Sequence, residues 1–363
     1  MRFRQIAKIV LFGLGSIAAL GVTGVVVIHS YLRARGESAA AIRTPNGIEE
    51  SGYVLVGGIK QWIQIRGENK NNPVLLFLHG GPGASSIPIS EGFRIWERNF
   101  TVVQWDQRGA GRTYRKNSAR ETGPLSVKQM TADGLELTAY LRRYLHHDRI
   151  VLVGHSWGSA LGIQMVKARP DMFSAFVGTG QVVDAEETER FNYAHVLRRA
   201  QDANNTLALA ELAQLGPPPW SDLEKLKSIR RLGSRFAADS GDAPNPRANF
   251  STPTLSLIDY YFWMKGPAFT HALFNHDLQS LNLRTLGTEF GVPIFFFQGT
   301  ADQVTPIEPV EEYVAEIKAP HKELVRFEGD HHFVVFNRSQ VFLDELVNRV
   351  LPQLTPILVL SRE

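Results

Sequence analysis

Short apolar runs alternate with helical patterns along most of this chain. Residues 53–56 (Tyr-Val-Leu-Val) and 62–65 (Trp-Ile-Gln-Ile) read as two strands joined in a hairpin across Gly57-Gly58. Further strands are predicted at 74–78, 100–105, 150–153, 174–178, 293–298 and 324–327, with helices near 127–146, 157–168 and 338–350. Strands alternating with helices predict an α/β chain with a mostly parallel eight-stranded sheet flanked by helices. More than a hundred residues of different character separate the strand at 174–178 from the one at 293–298. They hold helical patterns at 187–203 and 206–215, the break Gly216-Pro-Pro-Pro-Trp220 and a polar loop at 239–246. This block, 183–290, is expected to form a helical cap domain. The sheet-forming core is then split into 50–182 and 291–355.

The amino terminus has another pattern. Arg2, Arg4 and Lys8 precede Ile9 to Ile28, twenty residues without a charge. At about 1.5 Å per residue that length crosses a bilayer core. A signal peptide's apolar region is shorter, about 7–15 residues. Segment 1–35 is therefore expected to be a membrane anchor with an N-terminal transmembrane helix. A cleaved signal is the alternative, with Ser38-Ala39-Ala40-Ala41 as its small-residue site. Arg33 and Arg35 follow the stretch, so the basic excess before it is small. It favours a cytoplasmic amino end and a folded part outside the cytoplasm, periplasmic or extracellular.

Composition narrows the chemistry. With 363 residues, 44% hydrophobic and 21% charged, the chain suffices for one large α/β core plus an insertion. Net charge is +3 with no dense basic run beyond the amino end, so a nucleic-acid role finds no support. The absence of cysteine excludes disulfides, thiolate zinc sites and a cysteine nucleophile.

The candidate chemistry begins at Gly154-His155-Ser156-Trp157-Gly158, where a strand stops at a glycine, presents a serine and runs into a helix. Gly-x-Ser-x-Gly in that context is a nucleophile elbow. Upstream, an apolar strand enters the glycine loop His79-Gly80-Gly81-Pro82-Gly83. Backbone N–H groups there can face a developing oxyanion, completed by the N–H of Trp157. Gly81 is the expected loop donor, with Gly80 next. Downstream, Asp302 follows a strand ending at Gly299, and His331-His332 follow a strand and Gly329. An aspartate so placed can orient an imidazole, although loop aspartates more often serve turns or caps. The chain order is Ser, Asp, His. The adjacent histidines lack the spacing of a metal site.

His79-Gly-Gly-Pro-Gly83, Trp105-Asp-Gln-Arg-Gly-Ala-Gly-Arg-Thr113 and Gly154-His-Ser-Trp-Gly-Ser159 resemble the proline iminopeptidase branch of the α/β-hydrolases over roughly residues 50–350. The resemblance implies the α/β-hydrolase fold with Ser156 as nucleophile. It implies Asp302 from the Gly-x-x-Asp-x-x-x-Pro loop and His332 as base, with His331 as the alternative. Asp106 and Arg108 belong to the same signature and read first as structural, bracing the elbow. The chemistry needs no cofactor: a serine hydrolase works through an acyl-enzyme. The family's Trp-Glu pair, which grips a substrate amine, does not occur between 183 and 290. Glu186, Glu187, Glu189 and Glu211 are candidates for that task, although as members of charged helices they read first as solvated. The aromatic residues in 259–264 and 269–274 either line a pocket or pack the cap. Three functions remain open. They are an aminopeptidase releasing an amino-terminal residue, proline first, from short peptides; a carboxylesterase or lipase-like enzyme on acyl esters; and a non-catalytic binding protein.

Overall fold

The computed structural model describes residues 20, 21, 23, 24, 26–89, 91–220, 223–237, 255–274 and 276–354. Eight strands form one sheet in the order β1-β2-β4-β3-β5-β6-β7-β8. They are β1 Ile48–Val56, β2 Ile59–Gly67, β3 Val74–Leu78, β4 Thr101–Asp106, β5 Ile150–His155, β6 Phe173–Thr179, β7 Ile294–Gly299 and β8 Lys322–Phe327. β2 is antiparallel to β1 and β4, and every other pair is parallel. The eight-stranded, mostly parallel sheet is the one the apolar runs predict. The hairpin turns at Gly57 (φ 55°) and Gly58 (φ 77°), where glycine tolerates positive φ at no steric cost.

The central strands are solidly apolar because both sheet faces are covered. Val74, Leu76 and Leu78 of β3 join one core cluster, while Leu75 and Phe77 join the other. Ile294 and Phe296 of β7 divide from Phe295 and Phe297 in the same way. The first face is covered by α4 (Val127–Tyr144) and α5 (Trp157–Ala168), and the second by α12 (Ser339–Glu345) and the 3-10 turn Glu91–Arg98. Each fully buried Phe or Leu here contributes roughly 1.5–3 kcal/mol.

The other helices are α1 (residues 20–40, with 22 and 25 outside the described set), α2 Gly111–Lys116, α3 Ala119–Thr122, α6 Ala185–Asp202, α7 Thr206–Leu215, α8 Leu223–Ala237, α9 Leu257–Leu273, α10 Ile307–Glu316 and α11 Val334–Asn337. Helices α6 to α9 form the insertion between β6 and β7. The first three share an apolar cluster of their own around Val196, Leu212, Leu226 and Leu232. Among the described residues no helix is long and apolar enough to cross a membrane. The predicted transmembrane helix at 9–28 lies mostly outside the described residues, which begin at Leu20. The polar loop at 239–246 lies outside them as well.

Neighbouring strands β3 and β5 send their connections in opposite directions, β3 to β4 and β5 to β6. Their carboxyl ends therefore flank a topological switch point, where a crevice opens in sheets of this kind.

Candidate active site

Ser156 occupies the turn between β5 and α5 with φ 55° and ψ −122°. Positive φ is strained for any residue but glycine, and here it is held by specific bonds. The Ser156 N–H donates to the Thr179 carbonyl at 2.9 Å. The Ser156 carbonyl accepts from the Ser159 N–H at 2.8 Å and the Ser159 hydroxyl at 2.6 Å. The flanking glycines are steric requirements. A Cβ on Gly158 would stand 2.1 Å from the Leu78 carbonyl oxygen, and one on Gly154 would stand 2.3 Å from that of Gly158.

The loop after β3 lies against the elbow. A Cβ on Gly80 would be 3.0 Å from the Ser156 Cβ, and Gly81 shares a cavity with Ser156. Trp157 opens α5, so its N–H is among the four with no preceding turn to accept it. A buried bracket fixes loop and elbow together. The Gln107 side chain donates to the His79 carbonyl at 3.0 Å and accepts from the Trp157 indole N–H at 3.0 Å. The Gln107 N–H donates to His79 Nε2 at 3.2 Å. Burial lowers the His79 pKa to about 4, which keeps the ring neutral and able to accept that bond.

Asp106 and Arg108 stand on either side of this bracket. Both are structural, but neither touches the elbow. Arg108 pairs with Asp133 of α4 at 2.7 Å and donates to the Gly57 and Thr122 carbonyls. Asp106 accepts from the Arg112 N–H at 2.7 Å and from the Ser85 hydroxyl, so it anchors the far end of the glycine loop. Gln107, between them, is the residue that braces the elbow.

Asp302 and His332 arrive from the ends of β7 and β8. Asp302 Oδ2 lies 2.9 Å from His332 Nδ1, with both side chains buried. Asp302 Oδ1 accepts from the N–H groups of Val304 and Thr305, each at 2.8 Å. Oδ2 also accepts from the Thr305 hydroxyl at 2.8 Å and Gln298 Nε2 at 3.1 Å. Burial pushes the Asp302 carboxyl up. The His332 imidazole and these hydrogen bonds outweigh burial and hold it below the ordinary carboxylate value. His331 turns away, its Nδ1 3.0 Å from the Ala301 carbonyl. His155 Nε2 lies 3.0 Å from the His332 carbonyl and holds that backbone. Burial, then the neighbouring His332, lowers the His155 pKa to about 3, so its ring stays neutral. Gly180 (φ 52°) leaves room for the His332 ring, since a Cβ there would be 2.8 Å from His332 Cε1.

Two chambers meet at Ser156 and Gly81. One, about 570 Å³, reaches under α6 and α8 and is lined by Trp157, Glu189, Asn192, His195, Phe274 and Gln303 among others. The second, about 500 Å³, contains His332 and is walled by Ile89, Trp263, Met264, Pro267 and Phe336. Of the four candidate glutamates only Glu189 lines a chamber. Glu186 pairs with Arg190, Glu187 with Arg284 and Glu211 with Arg235. The insertion's aromatic residues divide. Trp263 and Phe274 line chambers, whereas Phe262 and Phe269 pack on Tyr114.

Sequence reading missed Gln107, His155, Gly180, Gln298 and Thr305. Thr305 alone carried a local signal, three residues after an aspartate as in an Asx turn.

Fold and elbow together define a class: open α/β-sheet proteins that present a reactive side chain on a strand-to-helix turn at the switch point. The chain belongs to the alpha/beta hydrolase fold family, whose model matches residues 73–339, and within it resembles the proline iminopeptidases. It is 29% identical over 303 residues to the protein named "Probable aminopeptidase YbaC" of Bacillus subtilis (strain 168), covering 80% of this chain and 93% of that one. It is 33% identical over 304 residues to a proline iminopeptidase of Lacticaseibacillus rhamnosus (strain Lc 705), covering 82% and 96%. The crystal structure of a proline iminopeptidase-related protein from Thermus thermophilus shares the fold. Its TM-score is 0.59 at 21% identity, over 85% of this chain and 99% of that one.

Proposed function

We propose that this chain is a serine hydrolase that releases an amino-terminal residue, proline first, from short peptides. The observation that carries the mechanism is the buried Asp302–His332 pair at 2.9 Å, whose His332 lines a chamber that Ser156 also lines. Asp302 holds the imidazole by Nδ1, which leaves Nε2 to take the Ser156 hydroxyl proton as Oγ attacks the substrate carbonyl. The N–H groups of Gly81 and Trp157 stabilise the oxyanion. Collapse of the tetrahedral species passes the proton from His332 to the leaving amine. Water, deprotonated by the same histidine, then releases the acyl group. These steps use side chains and backbone alone. The relatives' names support the aminopeptidase reading, and so does Glu189, the insertion carboxylate that lines a chamber. In this reading residues 183–290 are a cap that sets specificity.

The test compares proline p-nitroanilide with p-nitrophenyl butyrate, using the full chain and Ser156→Ala as the blank. Anilide cleavage that disappears when the proline amine is acylated is the expected result. Ester cleavage alone would replace this reading with a carboxylesterase, which the apolar walls of the second chamber favour. If a fluorophosphonate probe fails to label Ser156, the chain is a binding protein on this fold.

The uncharged stretch at 9–28 supports a second element of the proposal, a single-pass anchor with the hydrolase unit outside the cytoplasm. Retention in the membrane fraction after alkaline carbonate washing, with the hydrolase unit digested from the outer side, is the outcome that agrees.

A further inference from the structure

The exposed apolar side chains are unevenly spread. Among the described residues ten of the fifteen large ones sit on α1 and α9, which makes those helices the place to look for a partner. On α9 they are Leu257 (48% exposed), Ile258 (50%), Tyr261 (56%) and Met264 (73%). Their spacing of one, three and three residues puts them on one helix face. On α1, Val27, Ile28, Tyr31 and Leu32 are 58–64% exposed, again at one-face spacing. His29 of α1 meets Tyr260 of α9, ring centroids 6.2 Å apart, so the two helices adjoin. Soluble surfaces seldom gather so much apolar side chain in one place.

We propose that the outer face of α9, together with α1, rests on a lipid bilayer, so that the second chamber opens toward the membrane. This rests on the anchor reading of residues 9–28. That uncharged stretch ends at Ile28 within α1, next to His29, which meets Tyr260 of α9, so an anchor there adjoins this face. Tyr31 and Tyr261 have exposed amphipathic rings of the kind that settle at the headgroup level, and Lys265 is exposed beside Met264. Met264 belongs both to the exposed face and to the wall of the chamber that reaches Ser156 and His332. A substrate with an apolar tail therefore enters from the membrane surface without crossing water.

α9 is also seated for the task. Trp263 Nε1 donates to the Ser85 carbonyl at 2.9 Å, and the Thr270 hydroxyl donates to the Gly109 carbonyl at 3.0 Å. Asp259 pairs with Arg112 at 3.2 Å and Arg115 at 2.7 Å. The inner side of α9 is thus fixed to the core, while Leu257, Ile258, Tyr261 and Met264 on its outer side stay exposed among the described residues.

The chain has no cysteine, so single cysteines report single sites. Leu257→Cys, Tyr261→Cys and, as reference on α7, Leu207→Cys are labelled with nitrobenzoxadiazole in the full chain and reconstituted into phosphatidylcholine–phosphatidylglycerol vesicles. Doxyl-labelled lipid is expected to quench the labels at 257 and 261 several-fold more than the one at 207. Vesicle flotation with equal, weak quenching at all three sites would overturn the proposal and leave the anchor standing. Flotation with unquenched but blue-shifted labels at 257 and 261 would assign the face to a protein contact and also overturn it. Failure to float would remove the anchor and this inference together.

Discussion

Ser156 holds a backbone conformation that costs about 1–3 kcal/mol, and close packing of Gly154 and Gly158 keeps it there. If it is the nucleophile, Ser156→Ala lowers kcat by at least about a thousandfold with the fold intact, read by circular dichroism. The histidines separate at this scale. His332→Gln is expected to abolish turnover, whereas His331→Gln, whose Nδ1 lies against the Ala301 carbonyl and not against Asp302, should stay within a few-fold of the parent. Comparable losses in both would move the base assignment. Gly180→Ala carries a sharper prediction. Its Cβ must displace the His332 ring from 2.8 Å, at a position where φ is 52°. Loss of roughly tenfold or more in kcat with an unchanged KM is expected, since about 1.4 kcal/mol of misplacement is a factor of ten. Glu189→Gln should cut kcat/KM for proline p-nitroanilide roughly tenfold to a hundredfold and leave ester cleavage unchanged, as fits a charge-assisted bond worth about 1.5–3 kcal/mol. The serine, the aspartate and the histidine pair were legible because glycines and strand ends punctuate the sequence around them. Gly180 and His155 were not, because their partner His332 lies far off in the chain and only folding brings it near.

The sheet and α5 follow from local pattern, whereas the fit of elements to one another follows from positions that pattern does not mark. α9 crosses the glycine loop so closely that a Cβ on Gly83 would be 2.4 Å from the Thr270 hydroxyl and 2.6 Å from the Gly266 carbonyl. Gly83→Ala should therefore lift α9 and raise KM more than it lowers kcat, with about 1–3 kcal/mol lost from the unfolding free energy in urea. Arg108 joins the β1–β2 turn, α3 and α4 through one guanidinium. Arg108→Ala strands the fully buried Asp133 carboxylate, and a loss of about 3–5 kcal/mol is expected. A value near zero would mean that Gln61 and Gln129, which also donate to Asp133, suffice. The motif around Arg108 was plain in the sequence. Its target was not, because an arginine in a signature does not disclose which of several acids it meets.

For the whole molecule, buried titratable groups set the acid limb of stability. His79 and His155 fall from the ordinary 6.5 to about 4 and about 3. Below pH 6.5 the unfolded chain protonates both while the folded one does not. The stability they allow is complete above that pH and declines as pH falls toward 3. Asp106 acts in the opposite direction. Burial raises it from 3.8 to about 6, so between those values the folded state holds a proton that the unfolded state lacks. Of these three, two groups against one contribute a net loss of about 1.4 kcal/mol per pH unit between pH 6 and 4. Asp106→Asn removes an opposing group, so the slope in urea unfolding across this range should steepen by about 1.4 kcal/mol per pH unit; an unchanged or shallower one would contradict the assignment.

The sequence by itself determined the strands, the elbow, the order Ser156, Asp302, His332 and the uncharged stretch at the amino end. Each is written in neighbouring residues through a short apolar run, a glycine at a strand end or a stretch without charge. Tertiary structure alone decided that His332 and not His331 meets Asp302, and that Gln107 rather than Asp106 braces the elbow. It also singled out Glu189 among four glutamates and gathered the apolar faces of α1 and α9 on one side. Those outcomes depend on distances between segments tens to hundreds of residues apart, which burial and close packing fix and local pattern does not encode.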